Sequence, residues 1–145
     1  MQTIRVLIVD DEPDIADTLS MILQLRGLDT ATAEHGADAL ARLRSDFLAS
    51  IILLDMMMPV MDGQTFLEEL GRIPGLSEIP VVVFSGDHER AAAAHGRMIV
   101  ARLCKPIEID PLIELIAAHA IDPSLQPKGA GTSATIRGDD GGSRG

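Results

Sequence analysis

The sequence predicts an α/β fold built on a parallel sheet, and three observations carry that prediction. Short aliphatic runs without polar alternation recur along the chain, most clearly at 3–9, 50–54 and 80–84. Such runs mark strands covered on both faces, as in parallel sheets. Segments with apolar residues at helical spacing alternate with the strands five times. Each of these runs also ends abruptly in polar or turn residues, at Asp10-Asp11, Asp55 and Ser85-Gly86.

Residues 3–9 form the first expected strand. Pro13 suits the first turn of the helix that follows, with Asp11 or Glu12 as cap and Asp14 and Asp17 near its positive end. Ile15, Leu19, Ile22 and Leu23 make one apolar stripe, and Gly27 stops the helix. A weaker strand at 28–33 leads to Gly36 and a short helix with Ala37, Leu40, Ala41 and Leu43 inward. The third strand, 50–54, is central: Ile51-Ile52-Leu53-Leu54 runs straight into Asp55 and the loop Met56-Met57-Met58-Pro59-Val60-Met61-Asp62-Gly63. A helix at 64–71 turns Phe66, Leu67 and Leu70 to the core, and Ile73-Pro74-Gly75 ends it. The fourth strand, 80–84, stops at Ser85-Gly86-Asp87, and an alanine-rich helix covers 88–95. The fifth strand, 98–103, closes on Cys104-Lys105-Pro106. Ile109, Leu112, Ile113 and Ile116 then place a last helix at 108–120.

From Asp122 the chain turns to Pro, Gly, Ser and Thr with no apolar period. The expected division is a domain at 1–121 and a flexible tail at 122–145. The charges of the tail cancel, so the formal net charge of −10 sits on the domain. An acidic domain argues against direct nucleic acid binding, because phosphate contacts need clustered Lys and Arg. One cysteine excludes an internal disulfide and suits a reducing compartment. No apolar run approaches membrane-spanning length and the first residues lack a secretory pattern, so the expectation is a cytoplasmic protein without membrane insertion.

Strands of a parallel sheet that end on one edge bring their trailing polar residues together, where open α/β sheets bind ligands. The first strand delivers Asp10 and Asp11, the third Asp55, the fourth Ser85 and the fifth Lys105. Three carboxylates in one cleft repel unless a cation lies between them, and all-oxygen ligation selects a hard ion such as Mg²⁺. A hydroxyl and an ammonium opposite would suit a phosphoryl group. Lys105 is the only lysine among residues 1–121, which otherwise use Arg. That usage fits a need for a slim point charge at this position. Pro106 directly after it can fix the loop, with a cis peptide bond as one way to do so. Taken singly, the same residues have bland readings: Asp10 and Asp11 as helix caps, Ser85-Gly86 as a turn, Lys105-Pro106 as a surface turn. The four histidines lack ligand spacing, and Cys104 reads as a small apolar residue.

Together, Asp10-Asp11, the Asp55 loop, Phe84-Ser85-Gly86 and Lys105-Pro106 resemble the receiver domain of two-component response regulators. The resemblance runs over about 3–120, with every block in the expected order. It implies a doubly wound, flavodoxin-like sheet of five strands in the order 2-1-3-4-5 with five helices. It also implies that Asp55 is the phosphoacceptor. Asp11, Asp55 and the backbone carbonyl of Met57 would ligate Mg²⁺ directly, and Asp10 largely through water. Ser85 would bond a phosphoryl oxygen and Lys105 would pair with Asp55 or its phosphate.

The implied function is a stand-alone response regulator in a phosphorelay. A histidine kinase or histidine phosphotransfer protein would supply the phosphoryl group, and a downstream protein partner would read the result. The face of the fourth helix, fifth strand and fifth helix, including Arg90, Arg102 and Glu108, is the expected contact. The protein would assist its own phosphorylation and dephosphorylation without being a turnover enzyme. One departure stands out. Family members usually place Tyr or Phe three residues before the lysine as a rotamer switch, and here that position is Arg102. Two other classes compete: a phosphorylation-independent interaction domain, which Arg102 favours, and an aspartyl-nucleophile phosphatase. The phosphatase is disfavoured because Met57 stands where a second acid is expected.

Overall fold

The computed structural model describes residues 3–45, 47–58 and 61–122. Pro59 and Val60 of the loop after Asp55, and the expected tail beyond Asp122, lie outside the described residues. The elements run β1 (Arg5–Val9), α1 (Pro13–Leu25), β2 (Asp29–Ala33), α2 (Gly36–Ser45), β3 (Ile51–Asp55), α3 (Gly63–Gly71), β4 (Val81–Ser85), α4 (His88–Ala93), β5 (Ile99–Cys104) and α5 (Ile109–His119). The five strands form one parallel sheet in the order β2-β1-β3-β4-β5, the flavodoxin-like arrangement.

Strand alternation divides the core between the two faces of the sheet. Leu7, Val9, Ile52, Leu54, Val81 and Val83 pack with Ala39, Leu40 and Leu43 of α2 and Phe66, Leu67 and Leu70 of α3. Val6, Ile8, Ile51, Leu53, Val82 and Phe84 pack on the other face with Ala16, Leu19 and Leu23 of α1 and Leu112 and Ile116 of α5. Every side chain of β3 is buried, which explains why its run is unbroken. Each of its aliphatic side chains contributes roughly 1.5–3 kcal/mol by leaving water.

The helices keep most of their expected faces, with corrections. Ala37 and Ala41 are exposed, and Ala39 is buried with Leu40 and Leu43 instead. Alanine carries too little apolar signal to set the rotation of a short helix. In α1 the buried stripe is Ala16, Leu19 and Leu23, whereas Ile15 is exposed and Ile22 half-buried. The cap of α1 is Glu12, through its backbone alone: no side-chain cap bond forms. Asp62 caps α3 by accepting from the Thr65 amide at 2.9 Å. α4 stops at Ala93, two residues before its expected end.

Gly63 is required by close approach. A Cβ there would lie 2.8 Å from the Met56 Cα, next to the end of β3. Gly63→Ala is therefore expected to cost about 1–3 kcal/mol by forcing backbone apart. Denaturant unfolding followed by circular dichroism checks this, and an unchanged midpoint would contradict it.

Candidate functional site

Register brings the polar strand ends together. Val9 pairs with Leu54, so Asp10 and Asp55 stand side by side as the chain leaves β1 and reaches the end of β3. Ser85 pairs with Cys104, and the Lys105 amide donates to the Ser85 carbonyl at 2.9 Å, so Lys105 leaves β5 beside the end of β4. One carboxylate oxygen from each of Asp10, Asp11 and Asp55 lies within 4.8 Å of the others. The Lys105 ammonium sits 3.5 Å from Asp55 Oδ2, 3.6 Å from Asp10 Oδ2 and 3.4 Å from Glu12 Oε1. These are ion pairs at the long end of the range, with the cation shared among three acids.

Asp10 and Asp55 are buried, and Asp11 is half-buried. The Met57 amide donates to Asp55 Oδ1 at 3.0 Å and the Glu12 amide to Asp10 Oδ1 at 2.9 Å. Asp10 Oδ2 is buried with no hydrogen-bond donor, although Lys105 lies in ion-pair range. Burial pushes the Asp55 carboxyl up to about 6; the Met57 amide opposes the rise, Asp10 adds to it and Lys105 lowers it. Burial works against the Lys105 charge, but Asp55, Asp10 and Glu12 outweigh it and raise its pKa. An orphaned buried carboxylate oxygen and three converging acids fit a hard divalent cation.

Ser85 is buried, and its hydroxyl accepts from the Asp87 amide at 3.0 Å. Pro106 follows a cis peptide bond. Met57, two residues beyond β3, is 46% exposed, and its amide reaches Asp55. Arg102 is exposed and meets no acid within ion-pair range among the described residues; its guanidinium donates instead to the Ala94 carbonyl at 2.9 Å. Cys104 is likewise exposed and not part of the core, with its Sγ 3.0 Å from His88 Nδ1.

Two residues near the site escaped the sequence reading. Glu12 was visible only as a cap candidate, yet it bonds Asp10 through its amide and Lys105 through its carboxylate. Asp87 links Ser85 to α4, since its carboxylate caps that helix through the Glu89 and Arg90 amides. An acid two residues after a serine and one before a helix was the available signal. Beside the acids, Ile15 and Ile22 of α1 face Ile107 and Ile109 across a groove of about 700 Å³ that Lys105 and Pro106 also line. The groove explains why these two isoleucines are missing from the buried stripe.

Comparison with known proteins agrees with this geometry. The family described as the response regulator receiver domain matches residues 6–117. Protein PilG of Pseudomonas aeruginosa is 32% identical over 126 residues, covering 86% of this chain and 91% of its own length. A response regulator receiver protein of Anaeromyxobacter sp. is 37% identical over 77% of this chain, and a CpxR homolog of Haemophilus influenzae 32% identical over 70%. The chain spans 46% and 43%, respectively, of those two longer relatives. Response regulator TrrA of Thermotoga maritima, solved in complex with Mg(2+)-BeF, superposes with a TM-score of 0.71 at 25% identity over 80% of this chain and 98% of its own. With the strand order, the converging strand ends and a family match over most of its length, the chain belongs to the response regulator receiver domain family.

Proposed function

We propose that this receiver accepts a phosphoryl group on Asp55 and signals by protein contact. The observation that carries the reading is the meeting of Asp10, Asp11 and Asp55 with Lys105 at one sheet edge. Asp10, Asp11, Asp55 and the Met57 carbonyl are the groups that would hold Mg²⁺, which when bound supplies positive charge to the phosphoryl oxygens. An Asp55 carboxylate oxygen attacks phosphorus in line, the N–P bond of a phosphohistidine breaks, and the imidazole leaves with the bond's electron pair. Lys105 neutralises charge on the equatorial oxygens, and Ser85 offers its hydroxyl to one of them. The product is an acyl phosphate, labile enough to act as a timed signal.

The donor in this reading is a histidine kinase or histidine phosphotransfer protein, and the apolar groove beside Lys105 offers it a surface. A downstream protein reads the α4–β5–α5 face. The reading assigns no turnover of small substrates and no direct nucleic acid binding, and places the protein in the cytoplasm. PilG is matched over 91% of its own length, so the relatives include a protein of little more than this domain. Among the described residues, no helix is long and apolar enough to cross a membrane.

Intact-mass measurement after incubation with acetyl phosphate and Mg²⁺ tests the proposal. The expected result is a gain of one phosphoryl group that requires Asp55 and metal and then decays. No gain from acetyl phosphate or from a phosphorylated kinase would sink it and leave an interaction domain that works by binding alone.

A further inference from the structure

The helix α4 is held differently from the other four. It has six residues, and its only buried side chain is Ala91, followed by Ala94 at its C-cap. Two methyl groups give little hydrophobic hold, so polar ties must set its position. At its start, the Asp87 amide donates to Ser85 Oγ, and His88 Nδ1 meets Cys104 Sγ. At its end, Arg102 donates to the Ala94 carbonyl at 2.9 Å. Beyond it, the His95 amide donates to Gln64 Oε1 and Gln64 Nε2 donates to the His95 carbonyl, each at 3.1 Å.

Two of these ties come from β5, and a bulge makes them possible. The register with β4 slips between Val81 and Val82, so that Val82 faces Ala101 and Val83 faces Arg102. Val100, Ala101 and Leu103 pack toward α1 and α5, whereas Ile99 packs on the opposite face. After the bulge, Arg102 and Cys104 reach α4 as alternate residues on that opposite face.

We infer that Arg102 is a positioning residue for the phosphorylation switch: it latches the end of α4 in the unphosphorylated protein, and Ser85 releases the other end. The inference rests on Asp55 being the phosphoacceptor. When the Ser85 hydroxyl turns toward a phosphoryl oxygen, the Asp87 amide loses its acceptor. The first turn of α4 then loosens, since its start keeps the His88–Cys104 contact and small alanine contacts, while the Gln64–His95 bonds hold only the segment beyond its end. Arg102 exchanges the Ala94 carbonyl for water or a carboxylate of a partner. An aromatic switch is unnecessary in this arrangement, because a guanidinium on a helix carbonyl gives two discrete states, bonded and free. Coupling is reciprocal, so cutting the latch must favour the phosphorylated state.

Amide hydrogen exchange of the full chain, with and without Mg²⁺ and beryllofluoride as the phosphoryl mimic, tests this. Fluorine NMR reports independently whether beryllofluoride is bound, with Asp55→Asn as the blank. Arg102→Ala is expected to speed exchange in α4 roughly two- to tenfold without altering the rest of the domain, the scale of one lost hydrogen bond. Beryllofluoride should bind that variant more tightly, by up to the same factor. Arg102→Lys, which keeps a cationic donor, should recover part of both effects. In the unaltered protein, bound beryllofluoride should speed the same amides.

Bound beryllofluoride with unchanged α4 exchange in both proteins would overturn the latch. So would an Arg102→Ala protein that loosens throughout. No bound fluorine signal, together with no phosphoryl gain, would overturn the acceptor reading and this inference with it.

Discussion

Asp55→Asn is expected to abolish phosphoryl uptake and, in the metal-free protein at pH 7, to raise stability by on the order of 1–3 kcal/mol. Both effects come from one carboxylate. The phosphoryl loss follows because an amide has no anionic oxygen to attack phosphorus. The stability gain follows from the shift of the Asp55 carboxyl from 3.8 to about 6 in the folded protein, caused first by burial and then by Asp10. A group that binds its proton more tightly when folded stabilises the fold below its unfolded pKa. That contribution is lost as pH rises through the folded value, so the metal-free protein should weaken between about pH 4 and about pH 6. Asparagine removes the charge and keeps an oxygen to accept the Met57 amide. Its advantage should therefore be large at pH 7 and vanish near pH 4. Thermal unfolding by circular dichroism suits a chain with no Trp or Tyr. Saturating Mg²⁺ should raise the melting temperature of the unaltered protein more than that of Asp55→Asn, since a ligand stabilises the state that binds it. A variant less stable than its parent at pH 7 without metal would contradict this account.

Lys105→Ala should have the second-largest effect, in the opposite direction for stability. The ammonium is shared by Asp55, Asp10 and Glu12, and its loss leaves two buried carboxylates facing each other. Metal-free stability at pH 7 should fall by about 1–2 kcal/mol, because removing one partner of a buried pair strands the other. The loss should shrink as pH falls through about 6, where Asp55 takes up its proton, and Mg²⁺ should restore much of it. Phosphoryl uptake from acetyl phosphate should slow roughly 10²–10³-fold even with saturating Mg²⁺, the usual effect of deleting one preorganised charge from a phosphoryl site. Uptake at the normal rate would remove Lys105 from the chemistry and leave it a structural ion pair.

The β3 run, Ile51 to Leu54, was legible because four successive aliphatic residues ending in an acid have few ways to be buried except as a covered strand. The same held for β1 and β4. Once these three strands and β5 run parallel, their trailing residues share an edge, which brings Asp10, Asp11, Asp55, Ser85 and Lys105 together. Helix rotation was less legible. Ala37 and Ala39 differ in burial although they are the same residue, because the neighbouring leucines and the sheet decide which alanine turns inward. Ile15 and Ile22 fit a helical stripe but face a groove, since α1 meets the sheet through the smaller Ala16.

What the sequence determined by itself was the order of elements and the set of groups at the sheet edge. Both follow from local apolar runs and from the geometry of parallel strands. The tertiary structure alone decided how those groups are wired. Glu12 reaches Lys105 across 93 residues of sequence, a contact no spacing rule contains. The bulge in β5 decided that Arg102 faces α4: unbroken alternation from Ile99 would have turned it toward α1 and α5. One extra residue in a strand reverses the face of every side chain after it, and only pairing with β4 reveals where that residue was inserted.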